Sequence, residues 1–270
     1  MKFGNKNKAI YTILLLVCVL GFWLFENFYT PEAYGPSDGN VSKTKIPEVF
    51  MASSTTGSIV GHEHFTLSYN EPYEQAEWVA YMLKKEHLTY DDRKRPYFIE
   101  DPKVKTKSAD WRNYKRSGYD RGHLCPAGDR RFSEQAYNET FYTSNISPQD
   151  RDFNAGVWNR LEQQVRKWAK KKEELFVVTG GVLEDGLEEI GEEDVDVPKY
   201  YYKIVARGDS SDFKVIAFLM QGEESSKPLR QFVVTVDRIE EMTGIDFFEK
   251  LPNDVQVKVE STIDDGAWEF

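Results

Sequence analysis

The chain has 270 residues, enough for one large domain plus an appendage, with a core that needs no disulfide staples. With 40% hydrophobic, 14% aromatic and 30% charged residues it falls outside the disordered class, and a net charge of −10 argues against a protein that coats nucleic acid through overall charge. Its two cysteines, Cys18 in an apolar segment and Cys125 far along in a polar motif, do not suggest an intrachain disulfide.

Lys2, Lys6 and Lys8 precede an apolar run from Ala9 to Phe25, closed by Glu26. As a helix this run spans roughly 26 Å, close to the ~30 Å hydrocarbon core of a bilayer. Trp23, Phe25, Phe28 and Tyr29 suit the far interface, and the lysines on one flank predict that everything after the helix is exported. Residues 1–29 therefore read as an uncleaved signal anchor, with a cleaved signal peptide, and hence a secreted chain, as the alternative. The expected location is a single-pass membrane protein with its folded domain outside the cytoplasm. Residues 30–56, rich in Pro, Gly, Ser and Thr without periodicity, read as a flexible linker, so the folded domain is expected to begin near Gly57.

Residues 59–69 alternate as a strand does, while 74–86 (EQAEWVAYMLKKE) have the spacing of an amphipathic helix. From 103 to 131 nine Lys or Arg face three Asp, a local excess of six positive charges that can hold a polyanion; the plainer reading is a solvated face. Residues 154–172 form a strong helical pattern, with Trp158, Leu161, Val165 and Trp168 recurring every three or four residues and Lys170 to Lys172 favouring its negative end. Residues 175–183, 201–207 and 213–220 are β-branched and aromatic runs bounded by turn residues, hence core strands. Between the first two of these, 184–196 carry eight Asp or Glu and no base, an acidic loop. The expected class is α+β with a mainly antiparallel sheet flanked by helices, over residues 57–253, leaving 254–270 as a tail without an assigned role.

Chemistry concentrates in residues 119–162, YDRGHLCPAGDRRFSEQAYNETFYTSNISPQDRDFNAGVWNRLE. Cleaving a phosphodiester requires a base for water, a cation for the charge developing on phosphate, and help for the leaving oxygen. His123 supplies a base, Gly122 permits close approach to a ligand, and Arg121 carries a guanidinium fork suited to phosphate. On an unbroken helix Glu162 lies eight residues beyond Asn154, about 80° around and roughly 12 Å along the axis, leaning back toward it. A hydrated divalent ion fits there, bound by Asn154 with Glu162 holding its waters. Equally, Asn154 can act as a helix cap and Glu162 can pair with Arg166.

DRGHLCPAGD resembles the signature of the DNA/RNA non-specific endonucleases, the ββα-metal or His-Me finger nucleases. TSNISPQ (143–149), FNAGVWNRLE (153–162), VVTGG (177–181) and VDRIEEMTGIDFF (236–248) resemble that family's later blocks in the same order. The resemblance implies a ββα-metal fold and a metal-dependent endonuclease acting on both DNA and RNA, with Mg²⁺ as cofactor or Mn²⁺ in its place. It implies His123 as general base, Asn154 as the metal's sole protein ligand, Glu162 as the residue orienting the metal's waters, and Arg121 near the phosphate. Asn145 matches a further active-site asparagine in a supporting role, and Arg95 is preferred over Arg93 as the upstream phosphate-binding arginine. Recognition mostly through phosphate implies little sequence preference and inhibition by salt. The implied partners are nucleic-acid substrates and, through the N-terminal helix, a membrane; no protein partner is inferred. Two other readings of the motif are a catalytically silent, membrane-tethered nucleic-acid binder and a Cys125 nucleophile served by His123. His62 and His64 share a strand face but lack an apparent third ligand, which favours ordinary strand histidines over a transition-metal site.

Overall fold

The structure is a computed structural model that describes residues 5–29, 34, 46–208 and 212–270. In chain order it runs α1 (Asn5–Phe28), β1 (Ile59–Gly61), β2 (Thr66–Asn70), β3 (Gln75–Lys84), β4 (Asp120–His123), α2 (Glu134–Glu139), β5 (Ile146–Gln149) and α3 (Arg151–Phe153). A π turn over Asn154–Trp158 carries α3 directly into α4 (Asn159–Lys172). Then follow β6 (Glu174–Gly181), β7 (Glu188–Ile190), β8 (Val195–Val197), β9 (Tyr200–Arg207), β10 (Lys214–Gln221), β11 (Val233–Val234), α5 (Val236–Thr243) and α6 (Asn253–Ser261).

Seven strands form one antiparallel sheet in the order β1-β2-β3-β6-β9-β10-β11. Both faces are covered. On one, Val79, Tyr81, Leu83, Val177, Val205 and Phe218 pack against Trp158, Leu161, Val165 and Trp168 of the long helix. On the other, Trp78, Ala80, Met82, Val178, Ile204 and Ala217 meet Val236 and Ile239 of α5, with Val255 and Val259 of α6 packed alongside. Each large side chain removed from water in these layers contributes roughly 1.5–3 kcal/mol.

Double coverage explains the one element whose type differs from expectation. Residues 74–86 are not a helix; 75–84 are the strand β3, paired to β2 and β6. A strand buried on both faces reads as a near-continuous apolar run, and in EQAEWVAYMLKKE such a run mimics helical spacing. A bulge opposite Ser68 and Tyr69 adds to the mimicry by breaking the alternation at Glu77. The carboxylate of Glu77 accepts from Ser68 Oγ (2.5 Å) and from the Thr55 amide (3.0 Å), and Trp78 Nε1 donates to the Ser53 carbonyl (2.8 Å).

Those contacts also move the domain boundary. Phe50 and Ala52 are buried among Trp78, Phe176 and Phe213, so residues 46–56 belong to the fold and not to a linker; most of the expected tether, 30–33 and 35–45, lies outside the described residues. The tail likewise belongs to the fold. Trp268 is buried, and the Glu269 carbonyl accepts from Trp168 Nε1 (2.6 Å) and Gln164 Nε2 (2.8 Å). The acidic loop contains the hairpin β7–β8. In α1, residues Asn7–Phe25 are long and apolar enough to cross a membrane and are exposed.

Two buried histidines, His64 and His87, contribute to how the fold responds to acid. His87 stacks on Phe132 (4.2 Å between centroids) and its Nδ1 accepts from the Lys84 amide (3.3 Å); His64 meets the same ring edge-on. Burial first, then Arg130, lowers His64 from 6.5 to about 4 and His87 to about 3. Between those values and about 6.5 the unfolded chain binds more protons than the folded one, so this stability is complete above pH 6.5 and is lost as pH falls, by up to ~1.4 kcal/mol per pH unit per histidine. Thermal melts from pH 7 to pH 4 should show a falling Tm, with a shallower slope in His87→Phe. Equal slopes in the two chains would refute the role of His87.

Candidate active site

Strands β4 and β5 form a separate two-stranded ribbon, with Asp120 opposite Gln149, Gly122 opposite Ser147 and His123 opposite Ile146. Glycine at 122 is a packing requirement, because a Cβ there would come within 2.2 Å of the Gln149 side chain. The ribbon leads straight into the helix. Asp150 caps it, accepting from the amides of Asp152 and Phe153 (both 2.9 Å), and Asn154 follows one turn later at the start of the π turn. Gly156 departs from helical geometry (φ −96°, ψ −108°), and the Val157 amide donates to the carboxylate of Glu224 (2.8 Å), which occupies the space a side chain at 156 would fill.

This route brings His123 and Asn154 to the wall of one cavity of about 1150 Å³, together with Arg95, Arg121, Lys115, Arg116, Arg151, Asp120 and Tyr114. Asn154 Nδ2 donates to Asp120 Oδ2 (3.3 Å), which leaves the hard carbonyl oxygen Oδ1 as its remaining polar atom. His123 lies between Phe98 (5.6 Å) and Phe141 (4.9 Å), and its Nε2 is buried without a hydrogen-bond partner. Burial first, then Arg95 and Arg121, lowers its pKa to about 3, so the ring is neutral at physiological pH. Both guanidinium groups pack on the Phe98 ring, Arg121 at 4.6 Å and Arg95 at 5.3 Å. Arg93 turns away, donating to the Arg131 carbonyl (3.0 Å) and pairing with Asp91.

Two of the six expected site residues do not line the cavity. Asn145 is fully buried; its Oδ1 accepts from the Cys125 amide (2.8 Å) and its Nδ2 donates to the carbonyls of Cys125 (3.0 Å) and Thr140 (2.9 Å). It fixes the chain that leaves His123. Glu162 pairs with Arg166 (3.1 Å), which also meets Asp129 (2.5 Å), with the buried Lys203 nearby. The 80° relation between Asn154 and Glu162 presupposes an unbroken α-helix, and the π turn breaks that phase.

The basic stretch is likewise not one surface. Lys115, Arg116 and Arg121 line the cavity, whereas Lys103, Lys107, Arg112 and Arg131 engage other partners and Arg130 is buried against the carbonyls of His64 and Met82. The acidic hairpin braces that stretch from behind: the Asn113 side chain accepts from the Glu192 amide (2.8 Å) and donates to Glu193 (2.5 Å). His62 and His64 do not converge. His62 pairs with the buried Asp101 (2.7 Å), while His64 lies against Phe132.

Asp120, Arg151 and Glu224 are site or supporting residues that sequence reasoning left unassigned. The first two sit inside quoted motifs, as the Asp of DRGH and three residues before Asn154, whereas Glu224 has no local signal.

Two antiparallel strands delivering a histidine, followed by a helix that brings an asparagine to the same cavity, define the ββα-metal nuclease fold. The chain belongs to the DNA/RNA non-specific endonuclease family, which it matches over residues 44–254. It is 33% identical over 245 residues to the mitochondrial nuclease EXOG of Homo sapiens, covering 84% of this chain and 66% of that protein. Against mitochondrial endonuclease G of Homo sapiens it is 30% identical, covering 77% and 73%. Nuclease C1 of Cunninghamella echinulata var. echinulata is 33% identical, covering 75% and 87%. The chain spans two thirds or less of the length of the EXOG proteins from Homo sapiens, Xenopus laevis and Danio rerio. A crystal structure of the EndoG/EndoGI complex superposes with a TM-score of 0.67 at 30% identity, covering 72% of this chain and 86% of that one.

Cys125 is fully buried, and burial pushes its thiol up to about 12, so it is not available as a nucleophile. Folded protein treated with iodoacetamide at pH 8 should carry no adduct on Cys125, while urea-unfolded protein should be labelled there. Peptide mass spectrometry decides it, and labelling of the native site would contradict the burial.

Proposed function

We propose that this chain is a metal-dependent endonuclease that hydrolyses phosphodiester bonds in both DNA and RNA, with His123 as general base and Asn154 as the protein ligand of a divalent cation. The observation that carries this reading is that His123 and Asn154 share one cavity with five cationic side chains.

Among the described residues lining this cavity the metal-type donors are oxygens and one imidazole, with no cysteine, which suits a hard cation such as Mg²⁺ or Mn²⁺ better than zinc. Asn154 would hold it through Oδ1, with Asp120 setting the amide's orientation through Nδ2. When bound, such a cation supplies positive charge against the pentavalent phosphate.

The remaining work falls to the chain itself. Arg95 and Arg121, held on Phe98, present guanidinium groups to a phosphate and keep their charge at any physiological pH. His123, neutral and lining the cavity, removes a proton from the water that attacks phosphorus in line, while the bond from phosphorus to the 3′ oxygen breaks and that oxygen takes a proton from solvent. Guanidinium contacts to phosphate carry no information about base or sugar, which accounts for action on both polymers. Glu162, tied to Arg166 and through it to Asp129, holds α4 in place behind the ligand.

The proposal extends to location. Asn7–Phe25 spans roughly 28 Å as a helix, with lysines on its N-terminal side, so α1 anchors the chain in a membrane with the nuclease domain on the far side from the cytoplasm, or secreted if the helix is cleaved. Full-length protein should stay in the membrane pellet after alkaline carbonate washing. Release of the intact chain would contradict an anchor.

General-base catalysis is typically worth about 10²–10⁴ in rate, so His123→Ala should lower cleavage of plasmid DNA and of RNA by at least ~10², in a chain that a thermal melt shows to be folded at the assay temperature. Asn154→Ala should behave similarly, and chelator should silence the wild type. Full activity in His123→Ala would overturn the base assignment; full activity in chelator would overturn the metal.

A further inference from the structure

On the face of the sheet opposite the cavity, Asp237 and Glu240 of α5 and Glu260 of α6 bring one carboxylate oxygen each to within 4.8 Å of one another. Among the described residues none of the three forms an ion pair with Lys or Arg. Glu240 spends Oε1 on the Phe247 amide (2.8 Å), which fixes its carboxylate. Glu260 is only 6% exposed, and its Oε1 has no hydrogen-bond partner although the group sits inside the cluster. A buried, unsatisfied carboxylate oxygen beside two further carboxylates is costly unless a proton or a cation neutralises it.

We propose that Asp237, Glu240 and Glu260 form a second, structural divalent-cation site that takes Ca²⁺ and ties α6 to α5. Three carboxylate oxygens within 4.8 Å of one another can share one coordination sphere of a cation, and Asp237 on the exposed side leaves room for the waters that complete six to eight ligands. Ca²⁺ accepts an irregular all-oxygen set of this kind, whereas Mg²⁺ demands near-octahedral contacts and keeps most of its waters. Two ligands lie inside the family-matched region and the third, Glu260, lies on α6 beyond its end at residue 254. That helix covers Val236 and Ile239 of α5 through Val255 and Val259, so the ion would fasten a layer of the core.

The test uses the full chain in nonionic detergent, stripped with chelator, in an Asn154→Ala background so that the proposed catalytic ligand is absent. Titration with CaCl₂ should reveal one remaining site by calorimetry and raise Tm by about 5 °C at saturation, with MgCl₂ giving a smaller shift. Adding Glu260→Gln should weaken Ca²⁺ binding at least ~10-fold and abolish the shift. Should that chain fail to fold, Asp237→Asn, on the exposed edge, should weaken binding to a similar degree. No calcium-dependent rise in the Asn154→Ala chain, or unchanged affinity in the carboxamide variants, would overturn the site. Because the readouts are binding and melting, they stand apart from any failure of the nuclease reading.

Discussion

The pairing of β4 with β5 is the constraint from which the site follows. Four residue pairs, from Asp120 opposite Gln149 to His123 opposite Ile146, place the start of one strand beside the end of the other. Because β5 runs through the Asp150 cap directly into the helix, Asp120 comes to lie against Asn154, five residues beyond Gln149. A register slip of one residue would turn His123 to the opposite face of the ribbon and move Asp120 away from Asn154. The register is held from both sides. Gly122 admits the Gln149 side chain, and the ribbon is tied to the main sheet by Ser147 donating to Gln75 (2.7 Å) and Tyr201 donating to the Pro148 carbonyl.

Electrostatics divides the protein into compartments that the chain sum conceals. Net charge is −10, yet the cavity gathers Arg95, Lys115, Arg116, Arg121 and Arg151 against Asp120. The acids that balance these are not in the cavity but behind it, in the β7–β8 hairpin, where they hold the basic segment through Asn113 and Tyr119. Their attraction fixes the cationic wall without neutralising its open face. Under the helix, Glu162 and Asp129 are matched by Arg166 and Lys203, so the buried group is close to neutral and its desolvation is partly offset.

Legibility in the sequence tracked how local the determining physics is. The strands β6, β9 and β10 and the long helix were readable because their burial patterns are set by one face or one continuous core run. β3 was not, because burial on both faces and a bulge at Glu77 erase the alternation that identifies a strand. His123, Arg121 and Asn154 were legible from short motifs, and the structure places them, with Arg95, around one cavity. Asn145, expected in a supporting role, and Glu162, expected to orient a metal's waters, do not line the cavity, and their burial and partners are tertiary facts that spacing does not encode. Glu224 was invisible for the same reason: it reaches the π turn from 67 residues away.

That last contact explains how the site tolerates its own irregularity. A π turn widens the helix and disrupts its regular hydrogen bonding, and Gly156 takes a backbone conformation that a regular helix would not hold. The freed Val157 amide is satisfied by the Glu224 carboxylate, and the absence of a side chain at 156 makes room for it. Immediately beyond, Val157, Trp158 and Leu161 are fully buried in the sheet layer, so the irregular turn is clamped between a capped start and a packed continuation. A straight α-helix through the same residues would satisfy the backbone locally but would rotate Asn154 relative to everything that follows. The irregular turn thus lets one helix serve two incompatible phases, one toward the cavity at Asn154 and one toward the core from Val157 onward.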